Sequence, residues 1–207
     1  MSRLVEAVIE HSDDLTTEGM PIVAKRLQAH LDADSASIEA RYPLVVPTTT
    51  PATGRAACNV HDAVTEVTMT GDRASLKVGV GVTTTSLCPC SKAISAYGAH
   101  NQRSLVEVSV SLDGHDAPAR VPLLFDLVAL AERSSSCPVQ PLLKREDERA
   151  VTMYAYDHAA FVEDIARDVV AGLSATEGPG AISVRVTNEE SIHQHDAFAE
   201  VQVPLAC

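Results

Sequence analysis

Apolar residues recur along this chain with two periods, and each change of period marks an element. Leu4, Val5, Val8 and Ile9 share one face at helical spacing behind Ser2, whose hydroxyl suits an N-cap, so residues 2 to 11 are predicted helical. Asp13-Asp14 breaks that pattern, and a second helix is expected from about Thr17 to Ala33. The period then falls to two. Ala36, Ile38, Ala40 and Tyr42 alternate with polar residues, ahead of a Thr/Pro-rich loop from Pro47 to Gly54.

The clearest strands follow. A strand around Ala63 to Met69 meets a turn at Thr70-Gly71-Asp72, and Arg73 to Val82 sets Ala74, Leu76, Val78, Val80 and Val82 on one face. Arg103 to Leu112 sets Val106, Val108, Val110 and Leu112 against Glu107, Ser109 and Ser111, and Asp113-Gly114 closes it. Such strands have one covered face, as in an antiparallel sheet. Helical spacing returns at Pro122 to Glu132 and at His158 to Leu173, where Phe161, Ile165, Val169 and Leu173 recur at i, i+4. The Gly178-Pro179-Gly180 break leads to a strand through Ile182, Val184 and Val186, and a last strand spans about Ala197 to Val203. Helices, sheet, helices and hairpin make an α+β arrangement. No low-complexity linker cuts the chain, so 1–207 reads as one unit; two fused halves (about 1–85 and 86–207) are the alternative organisation.

Composition narrows the function. With 16 Lys+Arg against 28 Asp+Glu the formal net charge is −12, which argues against a nucleic-acid surface while leaving room for a local basic pocket. Aromatics are 3% with no Trp, so there is no stacking platform for single strands, and the core must be Val, Leu, Ile and Ala. No stretch is long and apolar enough to span a bilayer, which takes about 20 residues, and no signal-peptide core follows Met1. Five cysteines (Cys58, Cys88, Cys90, Cys137, Cys207) without an export signal point to a reduced, cytoplasmic protein.

The densest chemistry is Ser86-Leu87-Cys88-Pro89-Cys90-Ser91-Lys92, followed by Gly98-Ala99-His100-Asn101-Gln102-Arg103-Ser104. Cys88 and His100 stand at the two ends of one inter-strand connection, and sulfur plus imidazole suits Zn or a neighbouring divalent metal. Buried packing cysteines and a loop histidine are the alternative. A second cluster runs from Glu190 to His195; on extended chain His193 and His195 point to one side, able to ligate a metal or move protons, unless they simply form a polar strand entry. Lys144 and Arg145, in the run Leu142 to Glu148, are either a phosphate clamp or a solvated face. Glu163 with Arg167 at i+4 reads as a surface ion pair on a helix. Gly-rich phosphate loops and a Gly-x-Ser-x-Gly elbow are missing.

Together these segments resemble the type IB GTP cyclohydrolase family, prokaryotic enzymes unrelated in sequence to the commoner type I. The resemblance rests on Met1-Ser2-Arg3 with Glu6, on Cys88-Pro89-Cys90-Ser91-Lys92, on Gly98 to Ser104, on Leu142 to Glu148 continuing to Phe161-Val162-Glu163-Asp164, and on Glu190 to His195. It implies a tunnelling fold (T-fold): antiparallel sheets backed by helices, closing into a barrel only in an oligomer, here a homotetramer with active sites at or near subunit boundaries. It also implies GTP or a related purine nucleotide as substrate and one divalent metal ion (Zn, Mn or Fe(II)), with no organic cofactor. The implied reaction opens guanine at C8, releasing formate to give 7,8-dihydroneopterin triphosphate for pterin and folate synthesis.

By the same resemblance the metal ligands fall on Cys88, His100 and Glu148, and the purine-anchoring carboxylate, expected to be buried, on Glu163. Cys88, His193 and His195 are the catalytic residues it implies. Lys92, Arg103, Lys144 and Arg145 are candidates for the triphosphate, and Cys90 shapes the loop. Some features depart from the family. The chain opens at Met-Ser-Arg, where relatives usually carry a strand pair first, which would leave the first half short of sheet. Met153 stands where the family usually has Glu, and Asp157-His158-Ala159-Ala160 replaces an Asn-Pro. Related readings are a cyclic-phosphate or formamidopyrimidine product, and a non-catalytic purine- or pterin-binding protein on the same scaffold.

Overall fold

Period-two alternation becomes a meander of long strands. The computed structural model describes residues 2–11, 16–114, 117, 123–175 and 180–204, without the side chains at 2, 3, 7 and 8. The side chain of the expected Ser2 cap, the Asp13-Asp14 break, the helix start at Pro122, most of the Gly178-Pro179-Gly180 break and Cys207 therefore lie outside what the structure describes. Two helices, α1 (Ser2–Glu10) and α2 (Met20–Leu31), precede three strands of 15 residues each, β1 (Ser35–Thr49), β2 (Ala56–Thr70) and β3 (Arg73–Leu87). A short helix α3 (Pro89–Ile94) leads to β4 (Asn101–Asp113), then α4 (Leu124–Ser134) and the two-residue β5 (Cys137–Pro138). Helices α5 (Arg145–Asp157) and α6 (Val162–Ser174) precede the closing hairpin β6 (Ala181–Asn188) and β7 (Ala197–Val203).

Every pairing is antiparallel, in the order β1-β2-β3-β4-β6-β7. Strand β5 pairs with β3 at Thr84 and Thr85, beyond the point where β2 and β3 stop pairing. One face carries the expected valines: Val78, Val80 and Val82 of β3 stand level with Val110, Val108 and Val106 of β4, which stand level with Ile182, Val184 and Val186 of β6. Helices α2, α4 and α6 cover this face, and Leu127, Val128, Ile165, Ala166 and Val169 complete the core. Full burial of each such side chain contributes about 1.5–3 kcal/mol.

The strands outrun their sequence signals. Pro47 to Thr49, expected as loop, continue β1, and β2 begins at Ala56. Among the described residues strand β1 has a neighbour on one side only, and Pro43 and Pro47 share parity, so both missing N–H groups fall on one side, tolerable at an edge. The helix expected from His158 to Leu173 starts four residues later, because His158 to Phe161 separate it from a preceding helix. Helix α5 ends at its C-cap His158, and α6 begins after Phe161, whose N–H donates to the Asp164 carboxylate.

Candidate active site

The polar end of the helix-covered face holds the site. Where the valine rows of β3, β4 and β6 end, the same face continues with Ser86, Gln102, Ser104 and Asn188, all buried. A cleft of about 290 Å³ opens above them. Cys88, His100, Glu163, Glu190, His193 and His195 line it, so segments from four parts of the chain meet there.

Backbone geometry fixes the sulfur and the imidazole. Cys88 leaves β3 as the N-cap of α3, its Sγ accepting from the Ser91 N–H at 3.4 Å and Pro89 taking the first helical position, where its absent N–H costs nothing. The Cys88 N–H donates to the His100 carbonyl at 3.0 Å, which joins the two ends of the connection. Gly98, at φ +78°, supplies the left-handed turn that brings the chain back to β4. The Ser91 hydroxyl donates to the Cys88 carbonyl at 3.1 Å and accepts the His100 N–H at 3.2 Å.

His100 Nδ1 lies 2.8 Å from Gln102 Oε1, a bond in which the ring nitrogen must donate, leaving Nε2 as the lone-pair atom. Gln102 Nε2 in turn donates to Glu190 Oε1 at 3.5 Å, and the other Glu190 oxygen lies 3.9 Å from His100 Nδ1. An imidazole with one nitrogen tied to an acceptor and the other free is the arrangement a metal-ligating histidine takes. The donor set of thiol and free Nε2 thus fits a divalent transition metal.

The remaining candidates divide. His193 and His195 sit in the bend before β7, exposed, their rings stacked at 5.2 Å between centroids and 17° between planes. Glu163 lies in the first turn of α6 at the cleft but is exposed in the single chain, not buried as expected. Arg167 pairs with Asp164 at 2.9 Å instead of with Glu163, because i, i+3 brings that carboxylate to hand and leaves Glu163 facing the cleft. Glu148, Lys144 and Arg145 stand exposed on the first turn of α5, outside the cleft lining. Among the described residues no three His, Cys, Asp or Glu side chains converge as a metal cage. Lys92 donates to the Tyr156 carbonyl with its ammonium 4.3 Å from the centre of that ring, and Arg103, one residue from Gln102 along β4, lies on the opposite sheet face. Cys90 is exposed beside the cleft-lining Cys88.

Four further residues support the site. Glu190 and Gln102 flank His100, and Asn188, from the adjacent strand, donates to Ser86 Oγ at 2.9 Å, whose hydroxyl donates to the Ala160 carbonyl at 2.8 Å. Only the i+2 spacing of Gln102 from His100 offered a signal. The fourth, Asp147, is fully buried beside Glu148. Burial would raise its pKa, but hydrogen bonds from the Lys144 N–H, the Thr53 hydroxyl and the Thr53 and Ala52 N–H groups outweigh it and hold the carboxyl well below the usual range.

An antiparallel sheet, helices along one face, and a free side on β1 and on β7 define a tunnelling fold. A uricase from Arthrobacter globiformis superposes with a TM-score of 0.57 at 11% identity, covering 96% of this chain and 74% of that one. A hyper-thermostable uricase mutant gives 0.52 at 12% identity, over 96% and 73%. At such identities the likeness defines the fold alone. The sequence is more specific: the family described as type I GTP cyclohydrolase folE2 matches residues 1–199. A protein named GTP cyclohydrolase FolE2 from Magnetococcus marinus is 39% identical over 202 residues, 98% of this chain and 74% of that relative. Its namesake from Nitrosococcus oceani is 39% identical over 202 residues, 98% and 73%. This chain belongs to the type I GTP cyclohydrolase FolE2 family.

Proposed function

We propose that the chain is a metal-dependent GTP cyclohydrolase of the type IB kind, converting GTP to 7,8-dihydroneopterin triphosphate and formate for pterin and folate synthesis. The observation that carries the reading is the convergence of Cys88, His100, Glu163, His193 and His195 on one cleft. Cys88 Sγ and His100 Nε2 would hold a divalent ion, with Glu148 as third ligand. Such an ion supplies Lewis-acid activation of water near neutral pH.

The protein groups divide the remaining work. Glu163 accepts from guanine N1–H and the 2-amino group, a two-point match for a carboxylate. Gln102 and Glu190 keep the His100 proton on Nδ1. His193 and His195 pass protons as the C8–N bonds open and formate leaves. Lys92, Lys144 and Arg145 are the proposed triphosphate contacts. Arg103 can join them only from the far side of the sheet, toward a neighbouring subunit.

Because Glu148 lies outside the single-chain cleft, and β1 and β7 each have a free side, the reading includes a homotetramer that completes the site. Formate measured after adding GTP with Zn, Mn or Fe(II) to metal-stripped protein tests the chemistry. Release is expected with at least one metal, and Cys88→Ala should abolish it; unchanged release in that variant overturns the assignment. Guanine nucleotide bound without formate, or a cyclic-phosphate or formamidopyrimidine product, would replace this reading with another.

A further inference from the structure

Helix α5 is fixed to the body unevenly. Its middle and last turns lie on a small apolar cluster, where Val151, Ala155 and Tyr156 meet Leu87, Ala99 and Cys137. Its first turn has no such seat: Lys144, Arg145, Glu146 and Glu148 are all exposed, and Asp147 alone is buried, with no exposed area. That carboxylate reaches across to the tip of the β1–β2 hairpin. Oδ1 accepts the N–H groups of Ala52 at 2.9 Å and Thr53 at 2.8 Å, and Oδ2 accepts the Thr53 hydroxyl at 2.7 Å and the Lys144 N–H at 3.0 Å.

The tip is itself braced. Thr50, 2% exposed, donates its N–H to the Arg55 carbonyl at 2.9 Å, and its carbonyl accepts the Gly54 N–H at 3.1 Å. Its hydroxyl accepts the Arg55 N–H at 2.9 Å and lies 2.8 Å from the Thr53 hydroxyl. Rigidity therefore passes from two paired 15-residue strands through the tip to one carboxylate, and from there to the helix turn that presents Glu148.

We propose that Asp147 is a positioning residue: it clamps the first turn of α5 to the hairpin tip so that Glu148 is held where a metal ligand is needed. The inference rests on the reading of Glu148 given above. The hydrogen bonds span more than 90 positions of sequence, so neither partner predicts the other locally. Asp147→Asn keeps the size but replaces one acceptor oxygen with a donor, which opposes the groups already donating there.

Co(II) added to the metal-stripped full chain, followed by thiolate-to-cobalt absorption, reads metal affinity without turnover. Asp147→Asn should weaken affinity by roughly tenfold or more, in the range of substitutions that free a ligand from its support. Thr53→Val, which removes only the hydroxyl donor, should weaken it less, and the two together no more than Asp147→Asn alone. Val169→Ala, a core change remote from the clamp, should leave affinity unchanged at a temperature where all variants are folded. If Asp147→Asn does not fold, Thr53→Val carries the test. Wild-type affinity in the clamp variants while Glu148→Gln weakens binding overturns the clamp. Wild-type affinity in Glu148→Gln overturns the ligand reading, and the clamp with it.

Discussion

Cys137 and Cys90 lie in opposite surroundings. Burial pushes the Cys137 thiol up to about 11, and the nearby Glu132 charge adds to the effect, so almost none of it is thiolate near neutrality. Cys58 and Cys90 are exposed. Iodoacetamide at pH 8 followed by peptide mass spectrometry should therefore label Cys90 well before Cys137, which reacts only on unfolding. His61 is a second buried group, 6% exposed with Nε2 unpartnered, and burial lowers its pKa against a smaller opposing effect of Asp62. Below its ordinary value near 6.5, the unfolded chain binds a proton that folded His61 refuses. Stability should fall as pH drops from 7 toward 5, and His61→Gln should flatten that part of the curve of melting temperature against pH.

At the scale of elements, helix α6 bears much of the core. Ile165 and Val169 are fully buried against the sheet, and Ile165→Ala should cost about 2–5 kcal/mol in a urea titration. Gly180 is more sensitive than its loop position suggests. A Cβ there would stand 2.0 Å from the Ser111 carbonyl oxygen of β4, a backbone atom that cannot yield, so Gly180→Ala should force β6 away from β4 and prevent folding to the native state. These elements were legible because their apolar residues keep one period over many positions, as Val78 to Val82 and Ile165 to Leu173 do. Helix α5 was not, since only Val151, Ala155 and Tyr156 of its charged sequence touch the small cluster, too narrow a stripe to show periodicity. The outer half of β1 was hidden by its prolines. Cys88, His100, Glu163 and the His193/His195 pair could be picked out because they stand in distinctive segments. Glu190, Asn188 and Asp147 could not, because their importance comes from partners far away in the chain.

Across the whole molecule, no helix among the described residues covers the sheet's second face. It carries the charged cross-strand pairs Glu66 with Lys77 and Glu107 with Arg185, and Arg185 also reaches Glu200 at 3.1 Å. Val60 and Phe198 are 63% and 60% exposed. Sheet edges this long invite pairing with another chain. Sedimentation of the purified protein should show an assembly larger than a monomer, and a charge placed on the exposed side of the edge strand, Phe198→Asp on β7, should shift it toward smaller species. Among the described residues no helix is long and apolar enough to cross a membrane.

Strand order carries one more consequence, for how the chain reaches this state. Along β1-β2-β3-β4 each strand lies beside its successor in sequence, and β6-β7 is again a hairpin; apart from the two-residue β5 on β3, β4 with β6 is the neighbour pair joined by a long excursion. A chain emerging from the ribosome can therefore zip most of the sheet one ribbon at a time, with small loop-closure costs. Docking of the last ribbon onto β4, which must wait for α4, α5 and α6, would be the step that sets the pace.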